Sequence, residues 1–153
     1  MKAAELFMEG YNCAQAVVLA FEDMTGLERS FAAKLASSFG GGMGRLREVC
    51  GAVSGMLLVA GQLYGYDTPG DDVRKKEHYA LVQHLAEKFR ERAGSIVCRE
   101  ILKNPPSDPN PTPRTAEFYQ TRPCAAMVLW AGRILDEYIQ NHPPILEKQD
   151  KIV

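Results

Sequence analysis

A chain of 153 residues is about one domain long and large enough to build an apolar core without disulfide staples. Its 46% hydrophobic and 24% charged residues are ordinary for a globular protein, and a net charge of -1 gives no electrostatic case for nucleic acid or an anionic membrane surface as a partner. The opening MKAAELFMEG carries Glu5, Glu9 and Gly10 where a secretory signal needs a basic start and a long apolar run, so a cytoplasmic location is expected, in which the four cysteines would be reactive or metal-bound rather than permanently paired.

In chain order, Ala3 to Met8 reads as a first helix ended by Gly10, whose missing side chain suits a C-cap. Asn12 and Gln15 have the spacing of a capping box, which puts Cys13 at the first position of a second helix, with Val17, Ala20 and Met24 on the same face as Cys13. Beyond the Thr25-Gly26 break, Leu27, Phe31, Leu35 and Phe39 recur every fourth residue and predict an amphipathic helix that stops at the run Gly40 to Gly42. A helix starting near Arg47 is expected next. From Val49 to Leu63 only Ser54 and Gln62 are clearly polar, a pattern that predicts a helix surrounded on all sides but too short and glycine-rich to span a membrane. Gly51 and Gly55 lie one turn apart on it, where a second backbone or a cofactor could approach closely. Cys50 would sit near its start, beside unpaired N–H groups and the positive end of the helix dipole, both of which favour thiolate.

Pro69-Gly70 marks a turn, and Asp71-Asp72 supply an acidic start to a long helix with His78, Leu81, Val82, Leu85 and Phe89 as its apolar stripe. Lys75, Lys76, Glu87, Lys88 and Glu91 should face water, and Gly94 should end the helix. Ser95 is the expected N-cap of a short helix that carries Cys98 in its first turn and runs to about Lys103. Five prolines between Asn104 and Pro113 exclude helix and central strand there, leaving an extended surface loop. An irregular stretch or short helical turn is expected up to Thr121. Pro123 suits the first position of the last helix, with Thr121 or Arg122 capping it, and Cys124 heads a face carrying Val128, Ala131, Leu135 and Tyr138. Pro143-Pro144 stop it. The expected fold is therefore one all-α domain over residues 1–153: a compact bundle of about five to seven helices around a central apolar helix at about 48–64, with a Pro-rich loop at 104–113 and a loose tail at 143–153.

All four cysteines, Cys13, Cys50, Cys98 and Cys124, fall at predicted helix starts, on or beside the apolar face. Four helix N-termini pointing inward would make a pocket suited to thiolates and to a metal centre that binds them. No two cysteines share the spacing of about two to four residues seen in zinc knuckles, which argues against a ribbon, a finger or a thioredoxin motif. An iron–sulfur site assembled from separate helices stays open.

The cysteine-bearing segments YNCAQAV around Cys13, Cys50-Gly51-Ala52-Val53-Ser54-Gly55, SIVCREIL around Cys98 and RPCAAMV around Cys124 carry a family resemblance. The chain resembles the redox-active C_GCAxxG_C_C proteins, small bacterial-type proteins named for four separated cysteines and a glycine motif. The resemblance implies an all-helical redox protein holding an iron–sulfur-like centre.

Three functional readings follow. In the first, Cys13, Cys50, Cys98 and Cys124 hold an iron–sulfur or other metal centre beside Gly51 and Gly55, for electron transfer or redox sensing with a redox partner protein. In the second, the protein is a thiol–disulfide oxidoreductase or sensor in which Cys50 attacks and another cysteine, Cys13 foremost, resolves. In the third, the thiolates bind zinc structurally in a non-catalytic interaction module. A homo-oligomer is compatible with all three. Each feature also has a plainer explanation. A cysteine on an apolar face is often just a small buried side chain. The glycine run with Arg45 and Arg47 could cradle a phosphate, but without a Walker or Rossmann pattern it reads as a helix connection. His78 fits a hydrogen-bonded core edge, His84 and His142 fit the surface and chain end, and Trp130, Tyr64 and Tyr66 fit packing.

Overall fold

The computed structural model describes residues 2–145; part of the expected tail at 143–153 lies outside them. Among the described residues the fold is all-α. Nine helices form: α1 Lys2–Met8, α2 Cys13–Ala20, α3 Glu22–Thr25, α4 Arg29–Ala36, α5 Gly51–Tyr64, α6 Asp72–Ala93, α7 Cys98–Ile101, α8 Ala116–Thr121 and α9 Cys124–Asn141. A 3-10 turn at Ser37–Phe39 leads from α4 into the glycine run. At Gly40–Met43 the chain turns left-handed at Gly41 and Gly42, with φ of 66° and 70°, so this segment is a turn between helices. None of the helices is long and apolar enough to cross a membrane.

Local signals place many of these boundaries. Tyr11 N donates to Leu6 O and Gly10 N to Phe7 O, the paired bonds of a Schellman end, with Gly10 at φ +111°. The capping box is complete: Gln15 N donates to the Asn12 side chain and Asn12 N to the Gln15 side chain. Asp71 accepts from Arg74 N to start α6, and Gly94, at φ 82°, ends it. One helix, α3, goes beyond the expected set, and the stretch up to Thr121 takes the helical of its two expected forms. Phe21, at φ -111° and ψ 19°, breaks the anticipated helix through Met24 into α2 and α3, and Thr115 caps α8 by accepting from Phe118 N.

The core lies where α5 packs on α2, with α9 covering both and α1, α4 and α6 outside them. Val53, Met56, Val59 and Ala60 of α5 are buried, as the nearly polar-free sequence of that helix predicts. Less expected is α2, in which Ala14, Ala16, Val17, Val18 and Leu19 are all buried. The centre is thus a pair of helices. On α6 the buried stripe is Leu81, Leu85 and Phe89, and on α9 it includes Val128, Ala131 and Leu135.

Four expectations need correction. On α4 the predicted apolar stripe faces out: Phe31 is 41% and Leu35 49% exposed, while Ala32 and Ala36 are buried. Small side chains let α4 lie close on α2, and the Gln15 side chain closes the contact by donating to Ala33 O at 3.0 Å. The central helix starts at Gly51 rather than near Arg47, because residues 47–50 are held by a distant segment. Cys50 N donates to Ile96 O at 2.7 Å, Cys98 N to Glu48 O at 2.6 Å and Arg99 N to Arg47 O at 3.0 Å, around an antiparallel bridge between Val49 and Val97. The same bonds make Val97, not Ser95, the residue before α7, with Ser95 Oγ accepting from Val97 N and α7 ending at Ile101. Pro123 itself occupies the cap of α9, its carbonyl accepting from Met127 N, so neither Thr121 nor Arg122 caps that helix.

Candidate functional site

Each cysteine occupies a helix start. Cys13, Cys98 and Cys124 are the first residues of α2, α7 and α9, and Cys50 is the N-cap of α5. The α2–α5 contact and the pairing of residues 47–50 with 96–99 bring the four together. All line one inner cavity of about 30 Å³, floored by Gly51 and closed by Ile101, Leu102 and Met127. That is room for about one or two waters. Sulfur donors suit a soft metal, yet among the described residues no three His, Cys, Asp or Glu side chains are gathered as a metal-binding group.

Glycines allow this convergence. A Cβ on Gly42 would lie 2.7 Å from Glu48 N and 2.8 Å from Cys98 Cβ, so a side chain there would displace Cys98 from the cavity. A Cβ on Gly51 would meet Phe39 O at 2.8 Å and Cys13 Cβ at 3.1 Å, and one on Gly55 would meet Ala14 O at 2.7 Å. What approaches Gly51 and Gly55 is therefore protein, chiefly the backbone of α2 and of the turn before the glycine run. Gly51 additionally borders the cavity.

The four thiols are chemically unequal. Cys50 is buried, and desolvation pushes its thiol up to about 12 although the nearby N–H groups of Ala52 and Val53 pull the other way. The expected helix-dipole activation of Cys50 is overturned by burial. Cys98 is also buried and raised, with desolvation outweighing the Arg47 guanidinium, whose Nη1 lies 3.8 Å from Cys98 Sγ. Cys13 is raised well above its ordinary value, first because its thiol hydrogen bonds to Cys124 and then by burial. Cys124 moves the other way, to about 7. Hydrogen bonding from Cys13 is the largest cause, and Arg122, Arg114 and Arg47 add to it. The two half-buried cysteines Cys13 and Cys124 therefore shift in opposite directions, Cys13 up and Cys124 down, with three arginines favouring the charged form of Cys124.

Outside this pair the inner cavity gives way to an open cleft of about 320 Å³. Cys13, Cys124, Gly41 and Arg47 line both spaces. Arg45, Arg47, Arg114 and Arg122 all contribute to the cleft wall. Arg45 and Arg47 are carried on left-handed backbone, with φ of 68° and 61°, a conformation costing about 1 kcal/mol or more in a residue with a side chain. Arg47 is 5% exposed, its Nε donating to Pro106 O at 2.9 Å, while Arg45 reaches Asp108 at 3.4 Å and Thr112 Oγ1 at 3.2 Å. Two arginines thus tie the Pro-rich loop to the site. Arg114 donates to Phe7 O and Tyr11 O and stacks over Phe7 and Phe118 at 4.3 and 4.8 Å. Sequence reasoning missed Arg114 and Arg122. The only local signal was Arg122 two residues ahead of Cys124; nothing in the sequence links Arg114 to Tyr11.

A family model described as "Putative redox-active protein (C_GCAxxG_C_C)" matches residues 11–138, a span that includes all four cysteines and the four cleft arginines. Neither curated proteins nor solved structures give a match.

Proposed function

We propose, for a chain that belongs to the C_GCAxxG_C_C redox-active protein family, that it is a thiol–disulfide redox protein in which Cys124 and Cys13 cycle between dithiol and disulfide. The observation that carries this reading is positional: Cys13 and Cys124 both line the boundary between the inner cavity and the arginine cleft, where Cys13 and then Arg122, Arg114 and Arg47 bring the Cys124 thiol down to about 7. A thiolate with a pKa near ambient pH combines availability with nucleophilicity, the optimum for attack on a disulfide. Cys124 therefore takes the attacking role that the sequence suggested for Cys50. Cys13 is the resolving thiol. Cys50, protonated up to about 12, and Cys98 stay neutral on the inner side of the cavity.

In the reaction the Cys124 thiolate attacks one sulfur of a disulfide, whose S–S bond breaks to release one thiolate. Cys13 then gives up its proton to that leaving group or to water and attacks the Cys124 sulfur, releasing the second thiolate. The protein loses two electrons and the disulfide gains them. Serine variants separate the roles. With a disulfide oxidant, Cys13→Ser should accumulate a mixed disulfide on Cys124, and Cys124→Ser should form neither mixed nor internal disulfide. A mixed disulfide that instead accumulates on Cys50 would overturn the assignment.

One observation favours a second reading, a metal centre held by Cys13, Cys50, Cys98 and Cys124: all four thiols line the same small cavity. A soft ion there would supply electron transfer or structural cross-linking according to its identity. Its experiment is anaerobic metal analysis of the wild type and the four single serine variants. Metal content lowered in all four supports it, and metal content equal to wild type removes it.

A further inference from the structure

The cleft outside the cysteine pair is lined by the three arginines that lower Cys124 and by a fourth, Arg45, that is not among them. Arg45, Arg47, Arg114 and Arg122 border it, and among the described residues no carboxylate does; Asp108 is half of a partly exposed pair with Arg45. Arg122 is the most available, since its guanidinium stacks on Phe118 at 5.6 Å and makes no hydrogen bond among the described residues. Phe7 and Phe118 supply an apolar wall, and Gly44, with nothing within 4 Å of its Cβ position, lets a ligand approach backbone. At about 320 Å³ the cleft lies at the lower end of the range for small-molecule sites, roughly 300 to 1,000 Å³. Its floor is the Cys13–Cys124 pair. An anion held by the arginines would therefore sit within reach of the attacking sulfur.

We infer that this cleft binds the anionic part of a small disulfide, one formed from a low-molecular-weight thiol bearing carboxylate or phosphate groups, and presents its sulfur to Cys124. The inference rests on the dithiol reading and adds the class of substrate. The guanidiniums bind the anionic groups through charge-assisted, often bidentate hydrogen bonds. The disulfide is reduced to two small thiols while Cys13 and Cys124 become linked, so the small molecule gains the two electrons that the protein loses. A cationic disulfide is repelled by the same wall.

The test is a charge series. Fully reduced protein is oxidised with glutathione disulfide as the carboxylate probe, coenzyme A disulfide as the phosphate probe, hydroxyethyl disulfide as the neutral probe and cystamine as the cationic probe. Each rate is divided by that of the same probe with a free model thiol. The anionic probes should exceed the neutral one by about tenfold, with cystamine slowest, and added salt should compress the series. Arg122→Gln should lower the anionic-to-neutral ratio several-fold. Because both probes meet the same Cys124 thiolate fraction, the ratio cancels any change in its acidity. The salt series on wild-type protein tests the inference even if the variant misfolds. The faster anionic probe, carboxylate or phosphate, identifies the ligand group. If the neutral probe links Cys13 to Cys124 and the anionic probes are no faster, the cleft inference is overturned while the dithiol reading stands. An anionic preference insensitive to both salt and Arg122→Gln also overturns it. If no probe links the pair, both fall.

Discussion

A Cβ placed on Gly55 would lie 2.7 Å from the carbonyl oxygen of Ala14, closer than a real side chain comes to backbone. The α2 backbone therefore lies directly on α5 at this point, one turn from Gly51 and the start of the cysteine cavity. Alanine at position 55 gains about 1 kcal/mol of helix propensity but must push α2 away, at a cost of roughly 1 to 3 kcal/mol. Since the obstructing atoms are backbone, the second effect wins, and Gly55→Ala should lower the melting temperature. Gly61, on the same helix, has nothing within 4 Å of its Cβ position, so Gly61→Ala should raise it. Opposite signs in the two single variants, read by calorimetry, check the account. A higher melting temperature for both would contradict it.

The unequal thiols predict a pH profile. Cys124 ionises near 7 in the folded chain and near its ordinary 9.0 in the unfolded one, so between those values the unfolded chain holds the extra proton and stability rises with pH. Above 9.0 the balance reverses. The unfolded chain then ionises Cys50, which stays protonated in the fold up to about 12, and Cys13 and Cys98 add in the same direction. Urea unfolding of reduced protein should show the thiol contribution rising from pH 7 to 9 and falling beyond, and Cys124→Ser should remove the rise. Alkylation of the reduced protein should show one fast thiol with a midpoint near 7.

Arg47 joins the Pro-rich loop to the cavity, and its charge is buried. Arg47→Gln should remove the bond to Pro106 O and the cation beside Cys98, with a stability loss of about 1 to 3 kcal/mol. Residues 104–113 should then become more sensitive to limited proteolysis, and the Cys98 thiol should move further up. Unchanged protease sensitivity would show that the loop is held by other contacts.

What the sequence disclosed follows from the range of each interaction. The Asn12–Gln15 capping box, the Gly10 and Gly94 helix ends and the acidic helix start at Asp71-Asp72 act within a few residues, and all stand where the sequence puts them. Cys13 lies at a helix start for the same reason. Phe31 and Leu35 misled because spacing reveals that a helix has two faces and leaves open which face meets the core. Here the close approach of α2 selected Ala32 and Ala36. The true start of α5 depends on hydrogen bonds between residues 47–50 and 96–99, which no local window contains. The inequality of the thiols depends on Arg114 and Arg122 arriving beside Cys124 and on the burial of Cys50, both products of tertiary packing.

The most direct measurement is the first disulfide formed. Protein reduced and purified without oxygen is exposed to less than one equivalent of hydroxyethyl disulfide, alkylated in acid, digested and mapped by mass spectrometry, with bound metal measured on the same sample. A peptide linking Cys13 to Cys124 as the first cross-link, with Cys50 and Cys98 still alkylated as free thiols, is the predicted result. A first cross-link between Cys50 and Cys98, or no cross-link with a metal ion protecting all four thiols, would contradict the account.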